Sequence, residues 1–313
     1  EYDYPFEWYR STVISLTGEI PVARRVALRG EWAVLNRTEF HNQPPDFEGS
    51  FDRNGNGGYA GVAIDHAEAY LQPYCCSVAR SALELEMRAA APPIQAYVFT
   101  SLCDTLINLR ELYRRIFNKP VLGLSIPVAQ SAEGRRSFLS TAVCGLLDGL
   151  EEITGRRASN DDLRASARRF GRVRSLQRAF YRLRRERPGA IRNADFNTVL
   201  KAGFFLPVDD YADQLEKLLA ALRAGGPPSV RRPRLVLSGM VFEPIVAQGI
   251  FDEIGADVVD DDFANGWRSA SKETLNVDDL VAGIAAHLFG GAPCCCIHDP
   301  NRDRHDYLVK KVR

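Results

Sequence analysis

A short apolar run, Ala96-Tyr97-Val98-Phe99-Thr100, gives way through Cys103-Asp104 to the helical pattern Thr105-Leu106-Ile107-Asn108-Leu109-Arg110-Glu111-Leu112-Tyr113. The helix is expected to continue to Phe117, and a second apolar run, Val121 to Ile126, ends at Pro127. Strand, helix and strand in that order specify a parallel sheet with the helix as crossover. In an open α/β sheet ligands are held at the carboxyl ends of the strands, so the thiol of Cys103 is expected to point into a crevice rather than the core. Upstream, Tyr74-Cys75-Cys76-Ser77-Val78-Ala79-Arg80 places a second thiol site at the mouth of another helix, Arg80 to Ala89. Thiols near helix N-termini are favoured as thiolates, the form that ligates iron or zinc.

The same order recurs later in the chain. Arg234-Leu235-Val236-Leu237-Ser238 reads as a buried strand with a turn at Gly239, followed by a helix to about Ile254, the strand Ala256-Asp257-Val258-Val259 and an acidic loop, Asp260-Asp261-Asp262. Between the two units the pattern is helical. Ser159 and Asp162 have capping-box spacing, and Leu163, Ala167, Phe170, Val173, Leu176, Phe180 and Leu183 recur at helical spacing until Pro188. A further helix runs from about Asp209 to Ala224, and Gly225-Gly226-Pro227-Pro228 reads as a linker. The expected organisation is an α/β domain over 1–130, a helical region over 131–228 and a second, truncated α/β domain over 229–313. Two sheets separated by helices would leave a cleft between domains.

With 313 residues, 45% of them apolar, the chain is long enough for one large or two medium domains with real cores. No stretch approaches the roughly 20 apolar residues of a membrane span, and the first residues lack the layout of a signal peptide, so a cytoplasmic protein is expected. Seven cysteines, adjacent at Cys75-Cys76 and at Cys294-Cys295-Cys296, suit metal chemistry better than a disulfide scaffold. Zero net charge argues against general attraction to nucleic acid or an anionic membrane. Of the 40 basic residues 34 are arginine, a bias more suggestive of base composition than of mechanism. The chain starts without Met and stops at Lys310-Lys311-Val312-Arg313 within a helical pattern, so it reads as part of a longer protein.

The string Tyr74 to Arg80, the Cys103-Asp104 pair after a strand, and Gly249 to Arg268 together resemble the iron-sulfur subunits of the 2-hydroxyacyl-CoA dehydratase and benzoyl-CoA reductase family. Leu163, Arg187-Pro188-Gly189 and Phe205-Leu206-Pro207 fall where that family carries similar residues, and Gly18-Glu19-Ile20-Pro21 is similar to its opening. The resemblance covers most of the chain from about residue 70. It implies two flavodoxin-like (Rossmann-like) parallel-sheet domains with a helical insertion and one 4Fe-4S cluster, held by three cysteines, in the interdomain cleft. It also implies a paralogous iron-sulfur subunit, a separate ATP-hydrolysing iron-sulfur activator and an acyl-CoA substrate. Cys76 and Cys103 match the family's ligand motifs. The family's third cysteine follows a later strand that would lie beyond Arg313, and Cys294 is the alternative within the chain.

Three thiolates leave one iron open, and an open iron beside a thioester carbonyl can take up the charge of an added electron. Either ring reduction or dehydration could follow. The arginine-rich composition tilts the expectation toward a benzoyl-CoA reductase type of subunit, with an (R)-2-hydroxyacyl-CoA dehydratase subunit or a non-catalytic electron-relay partner as alternatives. Asp104, Asp261, Asp262 and Glu243 are all credible proton donors on position alone. Cys75 is expected to be a neighbour rather than a ligand and Cys144 a core filler within an apolar helix. Zinc is the rival metal, without a Cys-x-x-Cys pair to support it. The glycine string Gly55 to Ala60 precedes a helical pattern over Val62 to Leu71 but follows no strand, so a plain loop is expected. The arginine-rich helix from Arg156 to Arg192 could grip nucleic acid or CoA phosphates, but a solvated basic face is the expected reading. None of the five histidines is a strong catalytic candidate.

Overall fold

A computed structural model describes residues 64–88, 94–127, 132–225, 232–241, 249–272, 275–289, 292 and 304–312. The described residues up to Gly123, together with Phe204–Leu206, form one compact unit, and the others form a second. The helical region and the second strand pair therefore share a unit instead of forming separate regions.

In the first unit, helix α1 (Ser77–Met87) precedes strand β1 (Tyr97–Thr100), helix α2 (Asp104–Ile116) and strand β2 (Val121–Leu124). The strands form a two-stranded sheet with α2 as the connection between them. Tyr97 and Phe99 are buried on β1 and meet Tyr113 of α2 edge-on, with ring centroids 4.8 and 5.0 Å apart. Leu83 and Leu85 of α1 and Leu109 of α2 belong to the same core. The helix expected up to Leu71 is a single 3-10 turn, Ala67–Ala69, within the described part of that stretch. The N–H groups that lead into it, from Asp65 to Ala67, go to a side chain of α1, and those of Ala69 to Leu71 close the turn locally.

The second unit is built around α4 (Asn160–Glu186), about 40 Å long by its rise per residue. The Ser159 and Asp162 capping box forms as predicted: Ser159 Oγ accepts from Asp162 N–H at 3.1 Å, and Asp162 accepts from Ser159 N–H at 3.1 Å. Before it lies α3 (Ala132–Thr154), ended by Gly155 in the left-handed region at φ +67°. Then come α5 (Asn193–Ala202) and α6 (Val208–Ala224). Arg169 pairs with Asp209, and Arg172 with Asp213 and Glu216, so α4 and α6 match charge for charge along their length. Arg187 donates to the carbonyls of Leu222 and Arg223 at the end of α6, where a cation complements the helix dipole. The arginine-rich helix is thus a scaffold with acidic partners rather than a bare basic face.

Strand β3 (Arg234–Leu237), helix α7 (Gly249–Glu253), strand β4 (Asp257–Asp261), the short α8 (Trp267–Ala270), α9 (Leu280–Phe289) and α10 (Arg304–Val312) follow. β3 and β4 pair in parallel, with a register shift between Leu235 and Val236. Asn193 covers one edge of β4: its Oδ1 accepts from Val258 N–H at 3.0 Å and its Nδ2 donates to Ala256 O at 3.1 Å. Among the described residues no helix is long and apolar enough to cross a membrane.

The predicted acidic loop is corrected by the structure. Asp260 and Asp261 belong to β4, and they and Asp262 are buried. Buried carboxylates persist only with compensating partners, and three helices supply them. Asp260 pairs with Arg185 at 2.8 Å and Lys311 at 2.9 Å. Asp261 accepts from Tyr181 Oη at 2.6 Å and Trp267 N–H at 2.9 Å, with Arg184 3.8 Å away. Asp262 takes Arg268 Nε at 3.1 Å and also pairs with Arg304.

Gly266 leaves the space this network needs, because a Cβ there would collide with Asp261 Oδ1 and lie 2.8 Å from Tyr181 Oη. Gly266→Ala is predicted to destabilise the protein by about 2 kcal/mol in equilibrium urea unfolding. Gly145→Ala, mid-helix with nothing within 4 Å of the added Cβ, is predicted to be neutral or stabilising by up to about 1 kcal/mol.

Candidate functional site

Cys76 and Cys103 occupy the same structural position on two helices. Cys76 is the N-cap of α1 and Cys103, in extended conformation, the N-cap of α2. Each carbonyl accepts the first helical N–H, from Arg80 and from Ile107, both at 3.2 Å. Both sulfurs therefore sit at the positive end of a helix dipole. α1 and α2 pack on one another within the first unit, which brings the two starts into electrostatic contact. Cys76 is exposed as a residue, yet partial burial by surrounding atoms pushes its thiol above the ordinary value of 9.0, and the charges of Cys103 and Cys75 push it further. The backbone N–H of Ala79 pulls the other way. With no cation among the described groups that act on it, the Cys76 thiol stays protonated at neutral pH, so the helix start alone does not deliver the thiolate expected from sequence.

The neighbouring cysteines separate by burial. Cys75 packs against the apolar core of the unit, as suits a neighbour of the site rather than a member of it. Cys144 is exposed on α3 between Val143 and Leu146, which are buried. It is not the core filler expected, because the one-residue offset turns it out of the apolar stripe. Cys294, Cys295 and Cys296 lie outside the described residues, as do Glu243 and the glycine string Gly55 to Ala60. Among the described residues no three histidine, cysteine, aspartate or glutamate side chains gather as a metal-holding group. Asp104 is exposed in the first turn of α2, beside Cys103. Asp261 and Asp262 are engaged in the buried network of β4, where their carboxylates accept from neighbouring side chains and N–H groups.

The segment leading to Cys76 is held by a stripe that periodicity alone did not single out. Cys76, Arg80, Glu84 and Arg88 are spaced i, i+4 and so share one face of α1. Arg88 pairs with Asp65 at 2.6 Å. The buried carboxylate of Glu84 accepts the N–H groups of Asp65, His66 and Ala67 at 3.1, 2.8 and 2.8 Å. Its other oxygen lies 2.9 Å from His66 Nδ1 and 2.5 Å from Arg88 Nε. Arg80, itself buried, pairs with Glu68 at 2.7 Å and donates to Pro73 O at 3.3 Å. A turn from Gln72 O to Cys75 N–H at 2.9 Å then delivers the chain to Cys76. The only signal for this in the sequence was the fourfold spacing of opposite charges behind the cysteine.

The family of the 2-hydroxyglutaryl-CoA dehydratase D-component matches residues 56–313. The chain is 27% identical over 262 residues to a benzoyl-CoA reductase subunit from Thauera aromatica, covering 82% of this chain and 68% of that protein. It is 27% identical over 259 residues to the beta subunit of lactoyl-CoA dehydratase from Anaerotignum propionicum, again covering 82% and 68%. It is 26% identical over 223 residues to the beta subunit of (R)-2-hydroxyglutaryl-CoA dehydratase from Acidaminococcus fermentans, covering 70% of this chain and 58% of that one.

Burial alone would raise the carboxyl of Glu84, but the hydrogen bonds from His66, Ala67, Arg88 and Asp65 outweigh it and hold the group down from 4.5 to about 2. A depressed carboxyl stabilises the fold fully above its unfolded value, and that stability is lost as pH falls through the folded value. The native protein is therefore predicted to lose on the order of 3 kcal/mol between pH 4.5 and about 2 from this group. Thermal melts of the native chain and Glu84→Gln across that range check it: the difference between them should shrink as the pH falls.

Proposed function

The chain belongs to the 2-hydroxyglutaryl-CoA dehydratase D-component family, and from that premise we propose that it is the iron-sulfur subunit of an ATP-dependent, low-potential CoA-thioester reductase of benzoyl-CoA reductase type. More coarsely, it is a subunit of the benzoyl-CoA reductase and 2-hydroxyacyl-CoA dehydratase type. The observation that carries the finer reading is the pairing of Cys76 and Cys103 at the starts of two packed helices, with Cys76 close enough to feel the charge of Cys103. Relatives that are subunits of benzoyl-CoA reductase and of 2-hydroxyacyl-CoA dehydratases support a paralogous subunit as partner. The reading includes an ATP-hydrolysing iron-sulfur activator, an acyl-CoA substrate and flavodoxin-like domains built around each strand-helix-strand unit.

The donor chemistry fits a 4Fe-4S cluster. Thiolates are its usual protein ligands, and Cys76 and Cys103 would hold two of its irons, with Cys294 as the third donor in this chain. When bound, such a cluster supplies an open iron that takes up negative charge developing on a thioester carbonyl oxygen as an electron is added. The residues of the chain do the rest. Both cysteines are held at the first turn of a helix, Cys76 on α1 and Cys103 on α2. Partial burial, and after it the charges of Cys103 and Cys75, keep Cys76 protonated until a cation arrives, so loading the site releases protons and is weaker at low pH. Cys75, packed into the core, does not compete for the position. Tyr74, 84% exposed, stands directly before the Cys75-Cys76 pair in the chain. The dehydratase reading is supported by the lactoyl-CoA dehydratase relative, which matches the benzoyl-CoA reductase relative in identity and coverage.

Chain purified without oxygen is expected to carry about four irons and four sulfides, and Cys76→Ser and Cys103→Ser are each expected to lose most of both while keeping the native circular dichroism. Full activity in an iron-free preparation would sink the proposal. Assembled with its partner and activator, the enzyme is expected to consume benzoyl-CoA in preference to a 2-hydroxyacyl-CoA, and the reverse preference selects the dehydratase.

A further inference from the structure

Resting on the reading of Cys76 and Cys103 as one thiol site, we infer that Arg80 is its positioning residue: it sets where Cys76 lies relative to Cys103 by tying the incoming chain to α1. The segment Asp65 to Pro73 runs along α1 in the opposite direction, because Asp65 meets Arg88, His66 and Ala67 meet Glu84, and Glu68 meets Arg80. These ties end one turn short of the cysteines. Arg80 makes the last of them, and among the ties described it is the one that spans both ends of the reversal. One arm of its guanidinium holds Glu68, in the 3-10 turn, and the other donates to Pro73 O, three residues before Cys76. Its own N–H is the donor bound to Cys76 O at 3.2 Å.

The geometry makes Arg80 distinct from a general stabiliser. Glu84 and Arg88 fix residues 65–67, about ten positions from the cysteine, where a small displacement is absorbed by the turn at Gln72. Pro73 lies inside the turn that Cys75 N–H closes on Gln72 O, directly beside the Cys75-Cys76 pair. Releasing Pro73 therefore loosens the approach to Cys76 from the side that Arg80 holds. A planar guanidinium holds its two acceptors in fixed, divergent directions, whereas an ammonium is a single nitrogen on a flexible stem, so lysine is expected to restore only part of the pair of ties.

The test reads thiol placement without any cluster. In whole chain carrying Cys75→Ser, so that residues 75 and 76 cannot bridge each other, phenylarsine oxide captures two thiols only when they lie within reach of one arsenic. Joint protection of Cys76 and Cys103 from alkylation is measured peptide by peptide, which keeps Cys294 to Cys296 separate. Arg80→Ala is expected to raise the arsenical concentration needed for half-protection by about tenfold, as the loss of charged hydrogen bonds implies, and Arg80→Lys is expected to recover part of it. Glu84→Gln is expected to lower the melting temperature with at most about a twofold change in capture, which separates positioning from stability. Should Arg80→Ala fail to fold, Glu68→Ala, which releases one arm from the surface side, is expected to show a weaker shift in the same direction. Unchanged capture in a folded Arg80→Ala or in Glu68→Ala overturns the role of Arg80 alone. Absence of joint protection in the Cys75→Ser parent overturns the thiol placement that Arg80 is inferred to set, while the function proposed above stands or falls separately on the iron and sulfide content of the chain.

Discussion

Three successive carboxylates buried at the end of β4 set the terms for the second unit. An uncompensated buried carboxylate costs several kcal/mol, and here three lie side by side within a strand and its exit. The fold therefore has to bring cations to them. Arg184 and Arg185 come from α4, Arg268 from α8, and Arg304 and Lys311 from α10. Burial still pushes the Asp261 carboxyl up and Arg184 down. The N–H groups of Phe263 and Trp267 and the Tyr181 hydroxyl share that load through hydrogen bonds. Gly266 has to remain without a side chain for this to happen.

The same logic, at smaller scale, organises the first unit. Glu84 is a buried acid whose partners include backbone donors as well as an arginine. It gathers three consecutive N–H groups at the entry to the 3-10 turn, which would otherwise be left without acceptors. Arg80 and Arg88 flank it on the same helical face. Buried charge thus does in both units what an apolar contact could not do as specifically, since a charged hydrogen bond selects its partner and its geometry. In the first unit that specificity falls on the approach to a cysteine.

Much of the architecture was legible in residue patterns. The capping box at Ser159 and Asp162 starts α4 where its spacing says, because both partners lie within four residues. The apolar alternation in β1 and the periodicity of α2 select Tyr97, Phe99, Leu109 and Tyr113 for the core. Local patterns failed where the deciding partner was distant. Asp260 to Asp262 read as a polar loop because, Arg268 apart, the arginines that neutralise them are about 75 residues earlier or some 40 later. Residues 64–71 read as a longer helix than the one 3-10 turn they form, and the acceptor of their first N–H groups, Glu84, follows the cysteines. Cys144 read as core because one-dimensional hydrophobicity does not say which side of α3 faces inward.

The amino-acid sequence alone determined the order of strands and helices, and it placed Cys76 and Cys103 each at the start of a helix, since those properties depend on neighbours a few bonds away. Only the tertiary structure decided that the two starts share one packed pair of helices, that Cys75 turns to the core while Cys76 does not, and that Arg80 ties the incoming chain to α1. Those outcomes are set by which charged groups can be buried together, a condition on the whole fold that no local run of residues contains.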